Sequence, residues 1–348
     1  MITYSLKSLM PRDCTGSGTS AIMSPVAESF AESTHGIGQT GARDQPSSWS
    51  RRNQDDPEAM NRSLNEAHEM RKVIFCFSGT GNSLRAARII ASQLDGATIV
   101  SVKEGVCSDL AADADMVGFI CPVYEWDIPE PMKCFAEGLT VSSKAYVFMV
   151  ATFAAVHGRC FETMDAILRE KGTRLHYGRP LRCVASQCVA YEPFPAPRFM
   201  VPYSERRAKA LGKEIAARKH SKFPPMSIVT RKLFDRMMAP FLNIQHEYDK
   251  GFYTTDRCTG CGLCSRICPC KNISLSNRHP TWNHRCVGCN ACVVYCPSKA
   301  IMFKTPEAYR QLDNMITRRL GLPDKRTRYH NPYITAKDMI SDGEVIEA

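Results

Sequence analysis

The stretch VIFCFSGTGNSLRAARIIASQL, residues 73–94, reads as a strand, a glycine-broken loop and a helix in immediate succession. VIFCF (73–77) is a continuous apolar run rich in branched and aromatic side chains, the composition of a strand buried on both faces. From about Ser83 to Leu94 the apolar residues recur at helical spacing. Between the two, Ser78, Gly79, Thr80, Gly81, Asn82 and Ser83 put small hydroxyls and glycines at a helix N-terminus, where unpaired N–H groups and the helix dipole favour an anion. The loop lacks the lysine of a Walker A motif and the three-glycine spacing of a dinucleotide fold, so it favours neither ATP nor NAD. The hydroxyls of Ser78, Thr80 and Ser83, with the backbone N–H groups of 79–83, can instead cradle a monophosphate without a cationic side chain.

Outward from this unit the pattern repeats. TIVSV (98–102), MVGFI (116–120) and AYVFMVA (145–151) are further strand-like runs, a helix is expected near 160–171, and LRCVASQCVA (181–190) closes the series. Near-continuous apolar strands separated by helices predict an α/β domain over residues 70–200, a doubly wound parallel sheet of about five strands. The proline-rich stretch 191–202 is expected to resist regular structure. A basic helical segment (204–222) then opens a helical connector spanning 201–251. The tail, 304–348, is expected to hold a helix from Glu307 to Leu320 and then an irregular end. Residues 1–69, rich in Ser, Gly, Thr, Gln and Asn, lack apolar periodicity and are expected to be disordered. The acids Glu28, Asp55 and Glu58 argue against a transit peptide. Met70 directly precedes Arg71, Lys72 and the first strand, which leaves a start at Met1 or Met70 open.

A second pattern decides the chemistry. The spacing C-x2-C-x2-C-x3-C-P occurs at Cys258, Cys261, Cys264, Cys268 and Pro269, and again at Cys286, Cys289, Cys292, Cys296 and Pro297. Gly260 and Gly288, Lys271 and Lys299, and Ile273 and Ile301 match at the same offset, the mark of an internal duplication. Two-residue spacings let one loop wrap three corners of a cubane, and the fourth cysteine of such a run ligates the other cluster. One [4Fe-4S] cluster would then take Cys258, Cys261, Cys264 and Cys296, and the second Cys286, Cys289, Cys292 and Cys268. Zinc, the alternative for clustered cysteines, usually takes two separated C-x2-C pairs. Cys270 is a possible spare ligand or a plain small residue. Cys76, Cys121, Cys134, Cys160, Cys183 and Cys188 lie in or beside apolar runs, where a thiol behaves as a small hydrophobe.

The cysteine module, residues 252–303, resembles the bacterial-type two-cluster ferredoxins, a small α+β domain. FSGTGNS after the first strand is similar to the FMN phosphate loop of flavodoxins. Two further segments extend that likeness. CPVYEWDIPEP (121–131) sets Pro122, Tyr124 and Trp126 at a strand's C-terminal edge, where flavodoxins stack aromatic rings on the flavin. Thr152, Phe153, Ala154, Ala155 and Gly158 stand at the other flavin-contacting loop, where His157 departs from the usual pattern. The fusion as a whole resembles the EFR-type family of flavodoxin–ferredoxin fusions. The resemblance runs over about residues 70–340 and is also carried by HPTW (279–282) and RYHNPYIT (328–335). It implies an anaerobic cytoplasmic electron-transfer protein holding FMN and two [4Fe-4S] clusters.

The bulk numbers agree with that reading. The chain has 348 residues, 17 cysteines and a formal net charge of +10. Two oxidised clusters and one flavin phosphate would offset about six of those charges. The basic residues are scattered, so no nucleic-acid partner is expected. The apolar run Ala145–Val156 falls well short of the roughly 20 residues that span a bilayer. Function is therefore expected to be a relay between two clusters and FMN, serving a ferredoxin-level redox partner protein. The alternative is an FMN-dependent reductase of a small molecule fed by its own ferredoxin domain. Arg257, Arg266, Lys271 and Arg285 would raise the potentials of nearby clusters by favouring the added electron.

Overall fold

In the computed structural model, which describes residues 70–103, 108–223, 226–237, 245–310, 320–340 and 345–346, successive side chains of the first strand enter different cores. Ile74 and Cys76 of β1 (Lys72–Cys76) pack on Leu84, Ala87 and Ile90 of α1 (Asn82–Ala91). Val73 and Phe75 point the other way, against Met132 and Phe135 of α2 (Glu130–Gly138) and Phe161 and Met164 of α3 (Cys160–Glu170). Alternation with both faces buried makes the sheet the middle of three layers. Phe75, Phe119 and Phe148 have no exposed surface, and each such side chain contributes about 1.5–3 kcal/mol by leaving water.

The sheet comprises β2 (Thr98–Ser101), β1, β3 (Met116–Pro122), β4 (Tyr146–Phe153) and β5 (Tyr177–Arg182), side by side in that order and all parallel. The order 2-1-3-4-5 is that of the flavodoxin-like fold, and its switch point lies between β1 and β3. The Ser78–Gly81 loop leaves β1 there, and the segment 123–129 leaves β3 beside it.

The cysteine module follows. Strand β6 (Phe252–Thr254) pairs antiparallel with β9 (Ile301–Phe303), and β7 (Ile273–Ser276) with β8 (His279–Trp282). Two short helices, α6 (Leu263–Ile267) and α7 (Ala291–Val294), each start from a left-handed residue, Gly262 and Asn290. The duplication seen in the sequence is repeated in the backbone. Gly260 and Gly288 have φ of 67° and 65°, and Lys271 and Lys299 have 45° and 52°. The module is not tethered loosely, because Ile267, Ala291, Val293 and Ile301 join the same buried cluster as Ile74, Leu84 and Ile90.

Several expectations shift. The fifth strand lies at Tyr177–Arg182, and most of 181–190 is a loop. Regular structure begins inside the proline-rich stretch: α4 runs Pro197–Ala216, packs on α1 and therefore belongs to the α/β layers rather than to a connector. Its Pro197 sits in the first turn, where a missing N–H costs nothing, and Pro202 lies on the exposed side. A second helix, α5 (Ile228–Met237), leads toward the module. The tail is also more ordered than expected. Residues 328–335 cross the Ser78–Ser83 loop, α8 (Ala336–Ile340) is bound through the Arg88–Asp338 ion pair at 2.7 Å, and β10 (Val345–Ile346) pairs antiparallel with β2. The expected disorder of 1–69 lies outside the described residues, as does most of the expected 307–320 helix, of which a 3-10 turn is seen at Glu307–Tyr309.

Candidate functional site

Among the described residues no group of three or more His, Cys, Asp or Glu side chains is arranged to hold a metal ion as it stands. Cys258, Cys261, Cys264 and Cys296 nonetheless line one shallow pocket together with Leu275, Pro280 and Ile301. The fourth cysteine of the second run thus stands with the first three of the first run. On the other side, Cys292 lies in the electrostatic field of Cys289, Cys286, Cys268 and Cys264, so cysteines of both runs surround it. The cysteines differ in setting. Cys261 is exposed, whereas Cys292 is buried. Burial pushes the Cys264 thiol up to about 11 and the Cys289 thiol up to about 12, so both stay protonated until a metal ion displaces the proton from sulfur.

Donors meet the sulfurs in a repeated pattern. The Asn272 N–H points at Cys268 Sγ at 3.4 Å and the Ala300 N–H at Cys296 Sγ at 3.3 Å, each four residues on. The Gly288 N–H reaches Cys286 Sγ at 3.3 Å. Such donors favour the more negative, reduced form of an iron–sulfur group. Near Cys286 the carboxylate of Asp249 is fully buried, and accepts from Asn272 Nδ2 at 2.8 Å and His284 N at 2.9 Å, with His284 Nδ1 at 2.8 Å from its other oxygen. Of the four cations named from sequence, Arg257 pairs with Asp324 at 3.2 Å and Arg285 donates to the Lys271 carbonyl at 3.0 Å. Arg266 and Lys271 are exposed. Sequence reading missed Arg328, whose guanidinium donates to the Val293 carbonyl at 3.2 Å and lies in the field of Cys296.

The Ser78–Ser83 loop runs from β1 into the first turn of α1. Gly81, with φ 89°, precedes α1 and offers no side-chain cap. Ser78 Oγ accepts from the N–H groups of Gly81 at 3.2 Å and Leu84 at 3.4 Å. Ser83 Oγ shares a buried 2.7 Å bond with Thr152, and Thr80 Oγ1 a 2.7 Å bond with Ser186. Ser186 was not anticipated, since it lies in a run read as strand. Asn82 Nδ2 donates to the Val184 carbonyl, and Asn82 Oδ1 accepts from Tyr329 and Asn331.

The loops after β3 and β4 close on each other. Tyr124 and Asp127 exchange two backbone hydrogen bonds across Glu125 and Trp126, whose φ values are 47° and 64°. This turn normally takes Asn-Gly, so two bulky residues in the left-handed region store about 1 kcal/mol each. Asp127 holds the strained turn through Arg159 at 2.6 Å and Thr163 at 3.0 Å. Gly158 makes the approach possible, because a Cβ there would stand 1.7 Å from the Trp126 carbonyl oxygen. Gly158→Ala is expected to cost about 2–4 kcal/mol, read as a fall of roughly 5–10 °C in the thermal midpoint. His157 packs against Phe153 and Phe161 with Nδ1 at 3.0 Å from the Gly158 carbonyl, a structural setting.

The two halves of the site meet at Gly79. A Cβ on this residue would lie 2.6 Å from both the Cys289 carbonyl oxygen and the Tyr124 hydroxyl. Tyr124 stands edge-on to Phe77 at 6.0 Å, and burial among the Cys289, Cys270, Cys121 and Cys286 thiols pushes its phenol well up. Cys270 is itself buried beside it.

Among known proteins, the family described as the 4Fe-4S dicluster domain matches residues 257–301. Comparison with curated protein sequences gave no match. Solved structures similar to parts of the chain include a flavodoxin of Streptococcus pneumonia TIGR4, with 16% identity over 42% of this chain and 97% of that one and a TM-score of 0.31. Two-electron reduced Megasphaera elsdenii flavodoxin gives 19%, 42%, 98% and 0.31. The rubredoxin oxygen:oxidoreductase of Desulfovibrio gigas gives 13%, 46%, 39% and 0.31. No described helix is long and apolar enough to cross a membrane. The strand order establishes a flavodoxin-like α/β domain, and the matched family establishes that the chain also carries a 4Fe-4S dicluster domain.

Proposed function

We propose that this protein relays electrons between two [4Fe-4S] clusters and an FMN, after the manner of the EFR-type fusions it resembles. The observation that carries the reading is the contact at Gly79, where Cys289 of the second cysteine run rests directly on the loop suited to the flavin phosphate. The clusters supply one-electron steps, and the flavin converts between one-electron and two-electron chemistry.

The chain's own residues do the rest. Cys258, Cys261, Cys264 and Cys296 hold the outer cluster, with Cys261 at the surface where a ferredoxin-level partner protein can approach. Cys268, Cys286, Cys289 and Cys292 hold the inner one. Ser78, Gly79, Thr80, Gly81, Asn82 and Ser83 hold the phosphate, while Pro122, Tyr124, Trp126, Thr152 and Phe153 border the flavin. The glycine at 79 lets the two modules approach without an intervening side chain. The loop would hold the phosphate through backbone N–H groups at the start of α1, its Thr80 and Ser83 hydroxyls being bonded to Ser186 and Thr152. The metal-ligand spacing of its cysteines suits a reducing, cytoplasmic setting.

Anaerobic purification with iron, sulfide and FMN quantified together tests the reading. About eight irons and one FMN per chain are expected. Zinc in place of iron would sink the cluster assignment, and protein with iron but no FMN would sink the flavin half.

A further inference from the structure

The hydroxyl of Tyr295 is a buried polar group with no hydrogen-bond partner among the described residues. The residue is 7% exposed and belongs to the cysteine module, directly before Cys296. Its ring stacks on His330 at 4.7 Å, which fixes where the oxygen points. That oxygen would lie 2.9 Å from a Cβ on Gly81, the residue that opens α1. An unsatisfied buried hydroxyl costs about 1–3 kcal/mol, so its retention at the uncapped start of a ten-residue helix calls for an acceptor that arrives later.

Resting on the FMN reading above, we infer that Tyr295 completes the phosphate site: the cluster module donates a hydrogen bond to the anion held by the Ser78–Ser83 loop of the other module. The two modules then bind one ligand jointly. A donor to a charged oxygen is stronger than a neutral pair, and it favours FMN over riboflavin, which lacks the phosphate.

Tyr295→Phe in the full chain with its clusters reconstituted tests this, because Phe keeps the stack on His330. Kd values for FMN and riboflavin are measured by anaerobic calorimetry, and iron content and thermal midpoint are recorded without ligand. The FMN Kd is expected to rise about tenfold with the riboflavin Kd unchanged. Iron content should hold, and the midpoint should stay level or rise, since an unsatisfied group has been removed. An unchanged FMN Kd, or equal losses for both ligands, would overturn the inference. Should the unmodified protein take no FMN, the flavin reading fails separately, and inorganic phosphate becomes the probe. Phosphate stabilisation that Tyr295→Phe removes then upholds the anion site, and an equal or absent response in both proteins overturns it.

Discussion

Replacing Cys296 with alanine is expected to remove the cluster wrapped by the other cysteine run, halving iron from about eight to about four atoms per chain. Cys296 lines a shallow pocket with Cys258, Cys261 and Cys264, although its nearest cysteine neighbours in sequence belong to the other group. A cubane with three thiolates loses a corner it cannot recover from the hydrophobic wall around it. Pairwise substitutions separate crossed from uncrossed ligation. Cys258→Ala combined with Cys296→Ala should lose no more iron than either alone, because both changes strike one cluster. Cys292→Ala combined with Cys296→Ala should lose all of it. Ligation within each run would give the reverse ordering, and iron and sulfide analysis reads the difference.

The second large effect is expected from Ser78→Asp. Ser78 Oγ already accepts from the N–H groups of Gly81 and Leu84, so a carboxylate can take over those bonds at a helix start that favours negative charge. The fold should survive. The phosphate should not be accepted, because two like charges about 4 Å apart repel by roughly 4 kcal/mol at an effective dielectric of 20, and the phosphate carries nearly two. FMN affinity is expected to fall more than a hundredfold with both clusters retained, measured by flavin content beside iron content. An acid at Ser83 would be a poorer test, since Ser83 is 2% exposed and bonded to Thr152, and a buried carboxylate there would disturb the core itself. Retained FMN in Ser78→Asp would reject the phosphate-loop assignment.

Much of the architecture is legible from pattern because β1, β3 and β4 are buried on both faces and show it as unbroken apolar runs. The fifth strand escapes for a definite reason. Gly178 and Pro180 read as breakers, yet β5 is an edge strand bonded only to β4, where a missing N–H is tolerated. The apolar run after it mimics a strand because Cys183, Val184, Cys188 and Val189 are buried in a loop. The cysteine spacing announces two tetrads, since ligand geometry is local. Tyr295, Ser186 and Arg328 are not announced at all, because Tyr295 and Ser186 meet residues more than 100 positions away and Arg328 meets Val293 across 35, and no local period records such a contact. The tail is the extreme case: Asn331 N donates to the Thr80 carbonyl at 2.8 Å over 251 positions.

That last contact bears on how the protein is made. The Ser78–Ser83 loop is synthesised well before Cys289, Tyr295, Asn331 and Ile334, which lie against it. A nascent α/β half can gather its sheet as soon as β5 is out. The loop stays open until those segments are made and fold over it, so a nascent chain presents it uncovered.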